Sequence, residues 1–119
     1  MIEITKEFRF DAAHYLGHAQ EGHPNRRMHG HSFNVEVTLT GAVDPRAGWI
    51  RDFGEIDEIL ARLRSRLDHY LLNEIKGLET PTLENLCRYI FAALEPDLPG
   101  LVRVAVTRPS CGERAIFAK

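Results

Sequence analysis

Histidine is concentrated near the start of this 119-residue chain, and imidazole is a common ligand of transition metals in proteins. Five of the six histidines fall within 18 consecutive positions, at His14, His18, His23, His29 and His31. His29 and His31 begin a segment, residues 29–39, in which apolar and polar residues alternate. Alternation with a period of two predicts a β-strand, so both imidazoles are expected to leave the same face of it.

His14 ends a second alternating segment, residues 2–14, and is in phase with its apolar positions. If the two strands pair through the segment between them, the three imidazoles meet at one end of the pair. Imidazoles buried there without partners would each cost a few kcal/mol, whereas one metal ion accepts several neutral imidazoles. Three histidine ligands with an open fourth position are typical of a catalytic zinc site. The sequence therefore predicts a metal centre at His14, His29 and His31.

An ordinary pair of hydrogen-bonded histidines is the alternative interpretation of the spacing between His29 and His31. His18 and His23 lie in an aperiodic segment, residues 16–28, which is predicted to be a long loop of the kind that is often functional. These two histidines are expected to be solvated or locally hydrogen-bonded rather than ligands. Imidazole ligands alone do not select zinc over iron or another metal.

The elements that must hold these residues follow from the hydropathy pattern after the second strand. Residues 49–52 follow a turn-rich stretch and are short enough to be the return strand of a hairpin. Residues 52–55 resemble a capping box, and the apolar stripe that follows predicts an amphipathic helix ending near Asp68. A second helix is predicted to start around Thr82 and to stop at Pro96.

Two further strands are predicted at residues 101–107 and 115–118, which completes the order strand, strand, helix, helix, strand, strand. This order predicts an α+β fold, with two helices on one face of a four-stranded antiparallel sheet. A chain of 119 residues is expected to form one domain, residues 1–119. A domain of this size buries roughly two-thirds of the surface that its unfolded chain exposes.

Composition argues against several classes of function. The net charge of −2 and the lack of a basic block disfavour extended nucleic-acid binding. No run approaches the ~18 to 20 apolar residues that span a membrane, and the N-terminus has no signal-peptide pattern, so a cytoplasmic location is expected. Cys87 and Cys111 lie 24 positions apart and form no CxxC pair, which argues against a disulfide framework or a thiolate zinc site.

Four motifs along the chain resemble the 6-pyruvoyltetrahydropterin synthase and 6-carboxytetrahydropterin synthase family. They are FDAAH at 10–14, HGHSF at 29–33, LDHYLLN at 67–73 and PTLENL at 81–86, in family order and spacing over nearly the whole chain. EGH at 21–23 and GWIRDF at 48–53 look closest to the bacterial 6-carboxytetrahydropterin synthases of the queuosine pathway. The combination is specific to the family, although each motif alone is not.

The resemblance implies the tunnelling fold, in which three subunits join their sheets into a barrel and two barrels stack. The result is a homo-oligomer, a hexamer with active sites at subunit interfaces, in which the edges of the sheets are no longer exposed. The resemblance places the ligands of one zinc ion per subunit on His14, His29 and His31. It places a proton-transfer pair on Asp68 and His69, which would otherwise be interpreted as a surface carboxylate beside a histidine at a helix C-terminus.

The implied reaction is that of a zinc-dependent lyase, which converts 7,8-dihydroneopterin triphosphate to 6-carboxy-5,6,7,8-tetrahydropterin and releases triphosphate and acetaldehyde. Zinc would lower the pKa of the side-chain hydroxyls of this pterin substrate. His69 would act as acid and base near neutral pH, with Asp68 orienting it. Arg26 and Arg27 could meet the triphosphate, although a solvated basic pair explains them equally well.

Two positions depart from the family pattern. The family's catalytic cysteine lies four residues before the first histidine of HGH, where this chain has Asn25. An amide can hydrogen-bond to a substrate but cannot act as a thiolate or a base. Some relatives carry glutamate at this position and are associated with cleavage of dihydroneopterin-type side chains.

The second departure is Pro109, which takes the position of the glutamate that grips the pterin's amino and ring N–H groups. Proline offers neither a carboxylate nor an amide proton. Glu113 could supply the carboxylate if the last hairpin is re-registered, and so could Glu84 at the start of the second helix, where an ordinary first-turn residue is the alternative. Cys111 could supply a thiol, with an inert cysteine as the alternative interpretation.

These departures leave two alternatives to the implied lyase. One is a diverged zinc enzyme of the same fold, with a different pterin substrate or reaction, because the base and the pterin anchor have changed together. The other is a non-catalytic pterin-binding oligomer that keeps zinc for stability. The presence of all three zinc ligands together with Asp68 and His69 argues against the second, since a binding protein has no need of a proton-transfer pair.

Overall fold

The computed structural model describes residues 1–119 as a four-stranded sheet with two helices. The strands are β1 (Glu3–His14), β2 (His29–Thr40), β3 (Leu101–Arg108) and β4 (Glu113–Ala118), and the helices are α1 (Phe53–Leu67) and α2 (Leu83–Leu94). All neighbouring strands are antiparallel, in the order β1-β2-β3-β4. The predicted α+β class and the ββααββ order are confirmed.

The pairing of β1 with β2 sets which residues share a face. Phe10 lies opposite Phe33, and His14 lies opposite His29, so the two alternating segments are in register. The rings of Phe10 and Phe33 stack with centroids 5.0 Å apart, and both residues are fully buried. The histidines therefore continue the apolar rows of the core to the end of the sheet.

The helices cover the apolar face of the sheet through one stripe each. Their buried residues are Ile56, Leu60, Leu63 and Leu67 of α1, and Leu83, Leu86, Cys87, Ile90, Phe91 and Leu94 of α2. Each large apolar side chain buried in this way contributes about 1.5–3 kcal/mol to folding. Neither helix is long and apolar enough to cross a membrane.

Both helices begin at a capping side chain. Thr82 Oγ1 accepts from Asn85 N at 3.1 Å, and Asp52 Oδ1 accepts from Gly54 N at 2.8 Å. The predicted capping box is only half formed, because the Glu55 carboxylate pairs with Arg51 Nε at 3.0 Å instead of returning to the cap. The caps satisfy first-turn amides that have no partner within the helix.

The predicted return strand at residues 49–52 is wrong. Residues 44–49 form a turn, in which Asp44 Oδ1 accepts from Arg46 N and Ala47 N, and Asp44 N donates to Trp49 O. A return strand would have to pair with β2, but β1 and β3 already occupy both edges of that strand. The other differences are small: β4 begins two residues early, and the predicted loop contains a single 3-10 turn, Pro24–Arg26.

Candidate metal centre and active site

The three predicted ligands converge at one end of the sheet, on the face that the helices cover. Each offers one ligand nitrogen, and these nitrogens lie within 4.8 Å of one another. His14 is 1% exposed, and its ring centroid is 4.6 Å from that of His29 and 5.1 Å from that of His31. Three imidazoles this close could hold one metal ion.

Backbone carbonyls fix the orientation of two of these rings. His14 Nδ1 lies 2.9 Å from Pro81 O, and His29 Nδ1 lies 2.7 Å from Arg27 O. Because a carbonyl oxygen can only accept a hydrogen bond, each Nδ1 carries a proton, and in the neutral form of each ring the lone pair is on Nε2. This is the tautomer in which a histidine binds a metal through Nε2, and such carbonyl partners are typical of metal ligands.

Two of the nitrogens lack any partner within the chain. His14 Nε2 and His31 Nε2 are both buried without a hydrogen bond. Leaving a buried polar atom unsatisfied costs about 1–3 kcal/mol, so a native arrangement of this kind requires an explanation. A bound cation would satisfy both lone pairs, and the residues present therefore fit a metal ion of the zinc type.

The electrostatic environment favours neutral imidazoles. The pKa of His14 is lowered from 6.5 to about 4, chiefly by burial, which outweighs the opposing effect of the hydrogen bond to Pro81 O. Smaller decreases within this shift come from the neighbouring His29, His31 and Arg108. Burial also lowers the pKa of His31, followed by the charge of Arg108. Neutral imidazole is the form that coordinates a metal, so neither residue has to lose a proton at pH 7 to do so.

The β3–β4 hairpin forms a second wall of this site. Arg108 Nη2 pairs with Glu113 Oε1 at 2.8 Å, and Cys111 Sγ lies 3.9 Å from His31 Nδ1. The structure thus brings Glu113 and Cys111 close to the histidines, while Pro109 opens the 3-10 turn between the two strands. Arg108 was not identified from the sequence. The sequence signal that could have identified it is its position two residues after Val106, which places both side chains on the same face of β3.

Asp68 and His69 form a hydrogen-bonded pair immediately after α1. His69 Nδ1 donates to Asp68 Oδ2 at 2.8 Å, and Asp68 Oδ1 accepts from Asp11 N at 2.9 Å. The hydrogen bond from Asp11 N, followed by that from His69, holds the pKa of Asp68 below its ordinary value of 3.8. Asp68 is therefore ionised and orients the ring of His69, whose side chain is 79% exposed.

Backbone hydrogen bonds hold this pair against the edge of β1. His69 has a positive φ of 65°, and its N–H donates to Asp11 O at 2.6 Å. Two residues along, Ala13 N donates to Tyr70 O at 3.0 Å. Asn73 extends the attachment, since its side chain accepts from Tyr15 N and donates to Tyr15 O. The position of His69 is thus fixed by the sheet and not by α1 alone.

A pocket of about 500 Å³ lies beside His69. Asp11, Gly30 and Ser32 line it, and their positions in the strands belong to the polar face, opposite the helices. His31 is the only member of the histidine cluster among its lining residues. Within one chain, the Asp68–His69 pair and the three histidines therefore face largely different spaces.

The other predicted residues lie on the loop before β2 and at the start of α2. The side-chain amide of Asn25 makes no hydrogen bond, while its backbone N–H donates to His23 Nδ1 at 3.0 Å. Arg26 is used structurally, because it donates to two loop carbonyls, whereas the guanidinium of Arg27 is exposed and unpaired. Glu84 is exposed in the first turn of α2, and its carboxylate has no partner.

Comparison with known proteins links this geometry to a family. A model of the 6-pyruvoyl tetrahydropterin synthase family matches residues 3–119. The 6-carboxy-5,6,7,8-tetrahydropterin synthase of Synechocystis sp. is 43% identical over 109 residues, which cover 87% of this chain and 83% of that protein. The dihydroneopterin monophosphate aldolase of Pyrococcus furiosus is 33% identical over 95 residues, covering 80% of this chain and 76% of that protein.

A solved structure supports the same relationship at the level of the fold. The 6-pyruvoyl tetrahydropterin synthase of Caenorhabditis elegans superposes with a TM-score of 0.85, covering 99% of this chain and 95% of that chain at 22% identity. The fold, the match over nearly the whole chain and the resemblance of the motifs agree. This chain belongs to the 6-pyruvoyl tetrahydropterin synthase family.

Proposed function

We propose that this protein is a zinc-dependent carbon–carbon lyase, which converts 7,8-dihydroneopterin triphosphate to 6-carboxy-5,6,7,8-tetrahydropterin for queuosine biosynthesis. The observation that carries the proposal is the cluster of three imidazoles with two unpartnered, buried Nε2 atoms. The Synechocystis relative, at 43% identity, bears the name of this activity. The proposal assigns one zinc ion per subunit to His14, His29 and His31.

Zinc bound at this cluster would supply a Lewis acid that lowers the pKa of the substrate's side-chain hydroxyls. The protein contributes rigidity, because the carbonyls of Pro81 and Arg27 hold two of the rings in the tautomer that coordinates through Nε2. His14, being buried, also keeps water away from one side of the centre.

His69 moves the protons in this proposal. Its Nδ1 is committed to Asp68, so its Nε2 is the atom that takes a proton from the substrate and returns it. Asp68, held ionised by the amide of Asp11, stabilises the imidazolium that forms. Because the side chain of His69 is 79% exposed, the pair has to be enclosed by substrate and by another subunit before it can act in a shielded site.

Assembly would supply that enclosure. The sheet has two free edges, β4 and the Glu3–Glu7 stretch of β1, which makes no hydrogen bonds on its outer side. Joining these edges between three subunits would close the sheets into a barrel and remove the unpaired strands. We assign to the protein a homo-oligomer, a hexamer of two such trimers, with active sites at the interfaces. Analytical ultracentrifugation tests this directly.

Four residues are proposed to bind the substrate. One oxygen of the Glu113 carboxylate is engaged by Arg108, which leaves the other to accept from the pterin's N–H groups. The unpaired guanidinium of Arg27 suits the triphosphate, and the free amide of Asn25 can hydrogen-bond where the family has its cysteine. The fourth residue is Glu84, in the first turn of α2. This turn lies close in sequence to Pro81, whose carbonyl oxygen contacts His14.

A second candidate function is an aldolase-type cleavage of a dihydroneopterin side chain. Asn25 and Pro109 together favour a changed reaction, because they remove both the thiol and the carboxylate that the synthase pattern contains. The relative from Pyrococcus furiosus, at 33% identity, is named as an aldolase acting on dihydroneopterin monophosphate. Both candidates use the same metal centre and the same Asp68–His69 pair.

One experiment separates the candidates. Zinc-loaded protein is incubated with 7,8-dihydroneopterin triphosphate or with dihydroneopterin monophosphate, and the products are followed by liquid chromatography and mass spectrometry. The lyase predicts that 7,8-dihydroneopterin triphosphate yields 6-carboxytetrahydropterin, acetaldehyde and inorganic triphosphate. These products should be lost on chelation and in His69→Ala. Cleavage of the monophosphate alone supports the aldolase. Activity that appears only in Asn25→Cys would overturn the lyase proposal for the natural chain.

A further inference from the structure

Three buried polar nitrogens at the histidine end of the sheet lack a hydrogen-bond partner. They are His14 Nε2, His31 Nε2 and Arg108 Nε. A metal ion satisfies the two imidazole lone pairs, but it cannot satisfy the third atom, since an arginine Nε–H is a donor and a guanidinium is never an acceptor. The site therefore requires an acceptor in addition to a cation.

The fold places Arg108 beside the histidines. Val106 pairs with Val35 and Thr107 with Asn34, so Arg108 continues the row of β3 that faces the helices. That row runs alongside the β2 row that contains His31. The side chain of Arg108 is only 15% exposed, and its positive charge is close enough to lower the pKa of both His14 and His31.

Glu113 orients the guanidinium without satisfying it. The ion pair joins Arg108 Nη2 to Glu113 Oε1 at 2.8 Å, while Nε–H points into the protein unpaired. The Glu113 side chain is 53% exposed, so the pair is anchored from the solvent side. The guanidinium is thus held with one donor turned inward.

The charges at this end of the sheet favour an anion. Imidazoles that coordinate a metal are neutral, and the charges of Arg108 and Glu113 cancel, so a bound divalent cation would leave an excess of two positive charges in a partly buried site. An oxygen that carries negative charge both reduces this excess and accepts from Nε–H, and charge-assisted hydrogen bonds of this kind are among the stronger ones.

We propose that Arg108 is a specificity-determining residue, which selects ligands that present a carboxylate or phosphate oxygen to the metal centre by donating Nε–H to that oxygen. The inference rests on the proposed function only for the presence of the metal ion at the three histidines. It does not depend on which pterin is converted or on whether any turnover occurs.

The test uses the full chain loaded with Co²⁺, whose visible spectrum reports ligands added to the metal. The probes are acetate and inorganic phosphate as anions, which distinguish the two ligand classes, and imidazole as a neutral ligand. In Arg108→Met, we expect the dissociation constant of at least one anion to rise about 10- to 100-fold, as for one lost hydrogen bond to a charged group. The dissociation constant of imidazole should not rise.

Two matched variants separate the hydrogen bond from charge. Arg114→Met removes a guanidinium of β4 that pairs with Glu36, and it should leave anion binding unchanged. Arg108→Met combined with Glu113→Gln preserves the local net charge, and it should still bind the anions about tenfold or more weakly. Wild-type anion affinity in the double variant would overturn the proposal. The loss of anion affinity in Arg108→Met would then be due only to repulsion by the Glu113 carboxylate, which has lost its ion-pair partner.

Arg108→Lys keeps a positive charge and lacks Nε, so it tests the proposal if the methionine variants do not fold. Its anion affinity should fall relative to the wild type, and an unchanged affinity would overturn the inference. Anion binding that depends on Arg108 in a protein without lyase activity would overturn the proposed function alone. A chain that takes up no Co²⁺ would overturn the metal centre and this inference together.

Discussion

The histidine cluster and the Asp68–His69 pair differ in what completes them. The cluster is assembled within one chain: adjacent strands supply its three residues, and carbonyls of the same chain orient two of the rings. The pair is equally well oriented by hydrogen bonds, but it projects from the edge of the sheet with His69 largely exposed. In the proposed function, a single subunit would thus prepare the metal site, whereas the proposed proton-transfer pair would require neighbouring subunits.

The largest expected effect is the loss of metal in His14→Ala. This variant removes a buried ligand and leaves His31 Nε2 as the unpartnered atom. Losing a residue that only hydrogen-bonds to a metal ligand typically lowers metal affinity roughly 10- to 100-fold. Losing the ligand itself should lower metal affinity by more than this, and turnover should disappear. Competition with a chromophoric chelator measures the affinity. Undiminished zinc binding would show that the cluster is not the metal centre.

His69→Ala should separate the two regions. Turnover is expected to fall about 10²- to 10⁴-fold, the range for removing a general acid–base group, with metal content unchanged. The melting temperature should fall only slightly, because one exposed hydrogen bond to Asp68 is lost. Single-turnover kinetics and elemental analysis on the same preparation provide both readings. His18→Ala, which changes an exposed loop histidine, is the matched control and should retain activity.

Mixing two inactive variants tests whether neighbours complete the site. If His14 and His69 act together from different subunits, hybrids of His14→Ala and His69→Ala contain some interfaces with both intact residues. Refolding an equal mixture should restore a measurable fraction of activity, while each variant refolded alone stays inactive. No recovery in hybrids that are shown to form would mean that one subunit supplies both groups.

Asp68→Asn should alter the dependence of stability on pH. The pKa of Asp68 is lowered in the folded protein, so its contribution to stability is present above pH 3.8 and is lost as the pH falls through the folded value. The melting temperature of the wild type should exceed that of Asp68→Asn at neutral pH, and the gap should close below pH 3.8. Asp57→Asn removes an exposed carboxylate paired with Lys6 and should show little gap at any pH.

The smallest effect is expected for Asn73→Ala, which removes the side-chain hydrogen bonds that attach the segment after His69 to the backbone of Tyr15. Losing both hydrogen bonds to that residue should lower stability by about 1–2 kcal/mol and turnover modestly, without changing metal affinity. Thermal unfolding and zinc competition are the measurements. A parallel loss of metal affinity would mean that the two regions are mechanically coupled. Asn34→Ala, which removes a surface hydrogen bond to Glu7, is the control.

The histidine cluster could be predicted because its geometry depends on local alternation in two strands that are neighbours in sequence. The strand predicted at residues 49–52 was wrong because its existence would depend on a pairing partner that local alternation cannot identify. A short apolar segment does not reveal its partner, and the second neighbour of β2 is β3, about 60 residues away in the chain. Arg108 was missed because a charged residue at the end of a strand is usually solvated. Only the continued row of β3 and the carboxylate of Glu113 show that it faces inward.

The attachment of the chain after α1 to β1 also constrains the geometry of an assembly. Arg64 Nε donates to Arg9 O, and the Asp68–Asn73 stretch occupies the same edge as far as Tyr15. A neighbouring strand can therefore hydrogen-bond to β1 only along Glu3–Glu7. Sheets that join through such an offset, partial edge must be staggered, and in a closed barrel stagger fixes the tilt of the strands and the width of the central channel.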